Sequence, residues 1–223
     1  MENESKLKNY IDNIINTKIN KQVVNGVLIE SQIPKGNKVL VVNTSVLFID
    51  IRESTKLSKR IELTNMTKLY KIFGVIASIA AREFEGIIFQ FAGDGFMAAF
   101  NSSKDSDNSL NAFKAVKRFK ELLDYTFKPN VPKEWHFDCG YAITTGHIYM
   151  TRLKSKQFKL HSFGVFPGDA TNISSKFSGF AKVDELLIDE VSYNRLKKYQ
   201  KFEKVYSEDL ELEYYKCKIE TKK

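Results

Sequence analysis

The sequence predicts an α+β domain whose core runs β-α-β-β-α-β: a largely antiparallel sheet with helices packed on it, preceded by an N-terminal helix. Three observations predict it. Residues 39–51 alternate and then become continuously apolar, as a central strand would. Residues 62–85 carry Leu63, Met66, Leu69, Tyr70, Phe73, Ile76, Ile79 and Ala80 at i, i+3, i+4 steps, the signature of a long helix, and Gly86 marks its stop. Two short apolar runs, 87–92 and 96–100, then flank Gly93-Asp94-Gly95 as a hairpin.

The remaining elements follow the same logic. Leu7, Tyr10, Ile11, Ile14, Ile15 and Ile19 predict an amphipathic helix over 5–24. Pro34 and Gly36 punctuate a polar linker at 31–37. A helix is expected from Asp105 to Tyr125, closed by Pro129 and Pro132. Strands are expected at 135–143 and 147–152, joined by a turn at Thr144-Thr145-Gly146, and at 158–164. A helix over 168–182, a strand at 185–188, a short helix at 190–197 and a strand at 213–219 complete the chain. This is the ferredoxin-like layout with additions, with its helices expected on one face of the sheet. The organisation reads as an N-terminal helix and linker at 1–38 and one domain at 39–223.

Composition narrows the class. The chain has 223 residues, 43% hydrophobic and 28% charged, enough for one domain with a sizeable core. No stretch approaches the roughly 20 apolar residues that span a bilayer, and the N-terminus lacks the layout of a signal peptide. Cys139 and Cys217 form no CxxC, which argues against a disulfide framework or zinc site and makes a reducing cytoplasm the expected location. The net charge of +8 is spread along the chain, so it favours a phosphate-bearing ligand without marking a nucleic-acid tail. HExxH, GxSxG and GxxxxGK[ST] are absent, and His136, His147 and His161 are isolated.

Two aspartates carry the chemistry. Asp50 ends the run VLFID, and Asp94 sits in the hairpin turn. Two close carboxylates resist joint ionisation unless a cation lies between them. Hard oxygen ligands suit Mg²⁺ or Mn²⁺, ions that commonly arrive with substrate phosphates. Taken alone, the pair would also fit a strand-end cap and an ordinary turn residue.

Four segments together say more. VLFIDIREST (46–55), FQFAGDGFMAAF (89–100), YAITTGHIYM (141–150) and FPGDATNISSKFS (166–178) resemble, in order and spacing, a class III nucleotidyl cyclase catalytic domain over residues 40–220. The resemblance implies that Asp50, Asp94 and the carbonyl of Ile51 hold two Mn²⁺ or Mg²⁺ ions. It implies that the backbone of Arg52, Glu53, Ser54 and Thr55 wraps the β- and γ-phosphates, helped by the start of the following helix. It further implies a C₂ homodimer with two sites across its interface, each chain supplying metals to one site and base contacts to the other. Asn172 then orients the ribose, and Phe48 lines the base pocket from the partner chain. Lys176 stands where most members carry an arginine that neutralises the α-phosphate, and a lysine cannot make the bidentate fork.

The base pocket departs from both purine patterns. Adenylate cyclases carry Lys four residues before the second metal Asp and guanylate cyclases carry Glu; this chain has Gln90, and Val165 takes the paired position. A Gln amide offers one acceptor and one donor, which serve uracil or, flipped, cytosine. With Lys176, these departures resemble the bacterial pyrimidine cyclases of Pycsar antiphage systems, whose cyclic UMP or cyclic CMP activates a separate effector. The alternatives are an adenylate cyclase with an atypical base pocket, an inactive cyclase-fold module that binds nucleotide, and a polymerase-palm-like enzyme, which would need a basic groove the sequence lacks.

Overall fold

The computed structural model describes residues 2–27, 29–102, 107–155 and 157–221. Its elements are α1 (Glu2–Asn16), β1 (Asn20–Val23), β2 (Lys38–Ile51), α2 (Ser54–Arg60), α3 (Leu63–Arg82), β3 (Gly86–Ala92), β4 (Gly95–Phe100), α4 (Asn108–Glu121), β5 (Cys139–Ser155), β6 (Leu160–Val165), α5 (Asp169–Phe180), β7 (Glu185–Ile188), α6 (Glu190–Leu196), β8 (Glu203–Ser207) and β9 (Leu212–Lys218). The sheet order is β3-β4-β2-β5-β7-β9-β8, with β1 beside β2 and β6 beside β5. Its first four strands have the ferredoxin-like order, and along the path only β5 and β7 pair in parallel.

β2 is central because both its faces are covered, and its burial is unbroken from Thr44 to Ile49. On one face Leu47, Ile49 and Ile51 pack with Phe73 of α3, Phe119 of α4 and Tyr141 of β5. On the other, Phe48 packs with Met97, Ala142 and Phe177 of α5. Each aromatic or aliphatic side chain fully buried here contributes about 1.5–3 kcal/mol of transfer free energy. The helices therefore cover both faces, not one as expected: α3 and α4 lie on one side, α5 on the other. Alternation along β2 and β4 gives both faces apolar residues, so the second face also needs a cover.

Several boundaries differ from expectation for identifiable reasons. The N-terminal helix stops at Asn16, where the Asn16 and Thr17 side chains donate back to the carbonyls of Asp12 and Asn13, each at 2.7 Å. The following Asn20–Val23 joins β2 as a parallel strand, a pairing that helical periodicity cannot anticipate. A separate helix, α2, precedes α3. The expected start at Asp105 lies outside the described residues. α4 runs from Asn108 to Glu121 and continues as a π-helical turn, Leu122–Phe127. The stretch before Cys139 is short 3₁₀ turn, not strand.

Thr144-Thr145-Gly146 is not a turn: β5 passes straight through it, paired with Val46, Ser45 and Thr44 of β2. The threonine hydroxyls explain the difference. Thr144 donates to the Ala170 carbonyl at 2.5 Å, and Thr145 shares hydrogen bonds with Ser45 at 2.6 Å and Ser192 at 2.8 Å. Paired β-branched residues with satisfied hydroxyls fit a pleated strand. β8 was not foreseen, since its mostly exposed EKVYS has no apolar alternation.

Candidate active site

Asp50 is the penultimate residue of β2 and lies opposite Gly95 in the ladder with β4. Asp94 is the second of the two residues that turn β3 into β4, and its carbonyl accepts from the Ile51 N–H at 3.1 Å. Gly93 opens that turn with φ of 61°, a conformation glycine adopts without strain. A Cβ on Gly95 would lie 3.1 Å from Asp50 Oδ1 and 2.8 Å from both the Phe48 ring and the Ile49 carbonyl. The glycine thus lets β4 lie close against β2 beside the Asp50 carboxylate, with Asp94 on the adjoining turn.

β2 enters α2 through Arg52 and Glu53 alone. To make so tight a corner Glu53 adopts a left-handed φ of 56°, a conformation costing a non-glycine residue about 1–2 kcal/mol. Strain of this kind concentrates at functional turns. Ser54 and Thr55 begin α2, so the segment 52–55 directly follows the end of β2 that carries Asp50. The Arg52 guanidinium pairs with Asp50, and the Arg52 N–H donates to the Asp138 carbonyl at 2.8 Å. Burial draws the Arg52 pKa below its usual value, against the opposing pull of nearby charge that includes Asp94. Tyr70 of α3 has its pKa raised, by burial first and then by the negative charge of Asp94.

A second group assembles elsewhere on the same chain. Gln90 of β3, Val165 of β6 and Asn172 of α5 line one open pocket of about 600 Å³, together with Phe89, Phe166 and Ser175. Among the described residues no charged side chain lines it. Gln90 and Asn172 are exposed, with their amides available to a ligand. Lys176 lies one turn beyond Asn172 on α5, also exposed, outside the pocket lining. Phe48 is 7% exposed and packs under Met97, which itself lines the pocket.

The structure therefore groups Asp50, Ile51, Asp94 and residues 52–55 at one end of the sheet, and Gln90, Val165 and Asn172 around a separate neutral pocket. Sequence reasoning missed the Arg52–Asp50 pair and the place of Tyr70. Tyr70 was legible only as one apolar position of a helix, and the arginine pair had no local signal.

A family model described as the adenylate and guanylate cyclase catalytic domain matches residues 39–222. The chain belongs to this family. Solved cyclase structures share its fold at low identity. The adenylyl cyclase CyaB from P. aeruginosa superposes with a TM-score of 0.65 at 19% identity, covering 83% of this chain and 97% of that one. The guanylate cyclase domain of RhGC from Catenaria anguillulae, in complex with GTP, gives 0.66 at 14%, covering 81% and 97%. The non-canonical dimeric guanylyl cyclase domain from Blastocladiella emersonii gives 0.65 at 16%, covering 78% and 94%. No curated protein matches the sequence.

Class III cyclases use divalent metals, generally Mg²⁺ or Mn²⁺. The cyclase domain described here fits such ions by its donor chemistry. Asp50 and Asp94 stand at the same end of the sheet, where the Ile51 N–H donates to the Asp94 carbonyl and Gly95 lies opposite Asp50. Among the described residues no group of three or more His, Cys, Asp and Glu side chains gathers for a metal, so the third donor there would be a backbone oxygen, that of Ile51. Among the described residues no helix is long and apolar enough to cross a membrane.

Proposed function

We propose that this cyclase domain converts a pyrimidine nucleoside triphosphate, UTP or CTP, to its 3′,5′-cyclic monophosphate and pyrophosphate. The observation that carries the choice of base is the pocket of Gln90, Val165 and Asn172, which has an amide at its rim and no charged side chain. A lysine or glutamate at position 90 would place a full charge against the base. A glutamine instead pairs with a donor and an acceptor at once, as the edges of uracil and cytosine require.

In this reading Asp50, Asp94 and the Ile51 carbonyl hold two Mn²⁺ or Mg²⁺ ions. Metal ions so bound lower the pKa of a coordinated hydroxyl and offset the charge of a leaving pyrophosphate. The chain's own residues position the rest. Arg52, Glu53, Ser54 and Thr55 enclose the β- and γ-phosphates at the corner between β2 and α2. Asn172 of the partner subunit orients the ribose so that its 3′-oxygen faces the α-phosphorus, and the partner subunit's Lys176 meets the charge that develops there. Phe48 supports the pocket from beneath through Met97. The two groups of residues share no pocket within one chain, which supports a C₂ homodimer with sites across its interface. The product would act in the cytoplasm as a second messenger of antiphage defence, read by a separate effector.

Gln90→Ala tests the base reading. It is expected to lower kcat/KM for the preferred pyrimidine triphosphate by roughly tenfold to a hundredfold, because an unpaired base edge loses its discrimination. Its effect on the other triphosphates is expected to be small, so selectivity flattens. Unchanged selectivity in the variant would remove Gln90 from base recognition.

A further inference from the structure

Arg52 holds an arrangement that a bracing role alone does not explain. Its guanidinium pairs with Asp50, and the two side chains are only 15% and 19% exposed. Nη1 donates to the Ala181 carbonyl at 3.0 Å, and Ala181 is the residue that caps the C-terminus of α5. The side chain passes over Gly140 of β5, where a Cβ would come within 3.2 Å of Nε and 2.9 Å of the Ala181 oxygen. Nε is buried and has no hydrogen-bond partner among the described residues. A buried guanidinium stays charged and leaves a cost wherever a donor is unmet. This side chain therefore sits in a place that favours its charge on Asp50 over full satisfaction of its donors.

Asp50 is also a carboxylate assigned to the metal, and the inference rests on that reading. A guanidinium and a divalent cation compete for the same oxygens, and each lowers the other's affinity when both are present. On its other side Arg52 lines a pocket of about 310 Å³ shared with Lys56, Arg60, Lys128 and Lys133. That pocket adjoins the corner assigned to the phosphates, and its cations outnumber its two acids, Glu53 and Asp138.

We infer that Arg52 is an internal counter-ion of the metal site: it neutralises Asp50 until a divalent ion displaces it, and the displaced guanidinium then joins the cationic pocket beside the triphosphate. Arg52 would then be free to meet the phosphates once Asp50 held a divalent ion, and its attraction to the phosphates would in turn leave Asp50 open to the ion. Displacement also breaks the bond to Ala181, at the end of the helix that carries Asn172 and Lys176. Arg52 is in this sense a positioning residue for the metal half of one site and, through α5 of its own chain, for the ribose half of the other.

The test is Mn²⁺ binding to the full chain without nucleotide, read from the electron paramagnetic resonance signal of the free ion. Arg52→Gln, which keeps a donor for Ala181 but drops the charge, is expected to bind Mn²⁺ roughly three- to tenfold more tightly than the parent. Arg52→Lys, which keeps the charge, is expected to stay near the parent. Mn²⁺ is expected to raise the melting temperature of the glutamine variant more than that of the parent. If the glutamine variant does not fold, Arg52→Met carries the same prediction. Asp50→Asn separates the two ways of failing. Loss of Mn²⁺ binding in Asp50→Asn with unchanged or weaker binding in Arg52→Gln overturns the counter-ion role and leaves the metal site standing. Unchanged binding in Asp50→Asn overturns the metal reading of Asp50 and the counter-ion role with it.

Discussion

Replacing Asp50 or Asp94 by asparagine is expected to reduce cyclic product formation by at least about 10³-fold while the fold survives. Both aspartates lie at the sheet's end, outside the three apolar clusters that hold the domain together. Asparagine keeps the size of each side chain and removes only the charge, so it weakens the hold on a hard cation with little loss of packing. Circular dichroism and gel filtration should match the parent, and the loss should appear with either metal. Near-normal turnover from either variant would contradict the assignment of the two carboxylates. The same variants separate catalysis from stability, because a folded protein that binds nucleotide and makes no product has lost only the reacting centre.

The second large effect comes from mixing two inactive variants. Asp50→Asn disables the metal half of a site, and Asn172→Ala disables the ribose half. In a C₂ dimer whose sites draw one half from each chain, a mixed dimer regains one intact site and carries one doubly damaged site. Equal amounts of the two variants, refolded or co-expressed so that subunits exchange, are expected to recover about a quarter of parental activity, since half the dimers are mixed and each has one of two sites. Each variant alone should stay near background. Recovery absent in a mixture that demonstrably exchanges subunits would place the whole site within one chain. The geometry favours recovery: the pocket holding Gln90, Val165 and Asn172 includes neither aspartate.

The course of the chain was legible wherever local pattern and tertiary environment agree. β2 reads as a central strand because its apolar run meets α3 and α4 on one face and α5 on the other. α3 reads as a helix because one stripe, Met66, Leu69, Phe73, Ile76, Ala77, Ala80 and Ala81, enters the core. Asp50 and Asp94 could be paired from sequence because a strand end and a hairpin tip are fixed points of neighbouring strands. The errors fall where distant residues decide. Thr144-Thr145-Gly146 looks like a turn until Ser45, Ser192 and Ala170 are in place to receive the threonine hydroxyls. The end of the first helix was lost because the edge of β2 recruits Asn20–Val23. The Arg52–Asp50 pair depends on space left by Gly140 and on the carbonyl of Ala181, both far along the chain. No window of sequence contains that information.

The most direct measurement is to incubate the purified protein with Mn²⁺ and, separately, ATP, GTP, CTP and UTP, and to identify the products by mass and by comparison with authentic 3′,5′-cyclic standards. The account predicts a cyclic pyrimidine monophosphate and equimolar pyrophosphate from UTP or CTP, with far less product from either purine. A cyclic purine as the main product would contradict the reading of Gln90 and Val165 while keeping the two-metal site. No cyclic product from any of the four, from a folded dimer that binds Mn²⁺, would contradict the claim that this chain is an active cyclase.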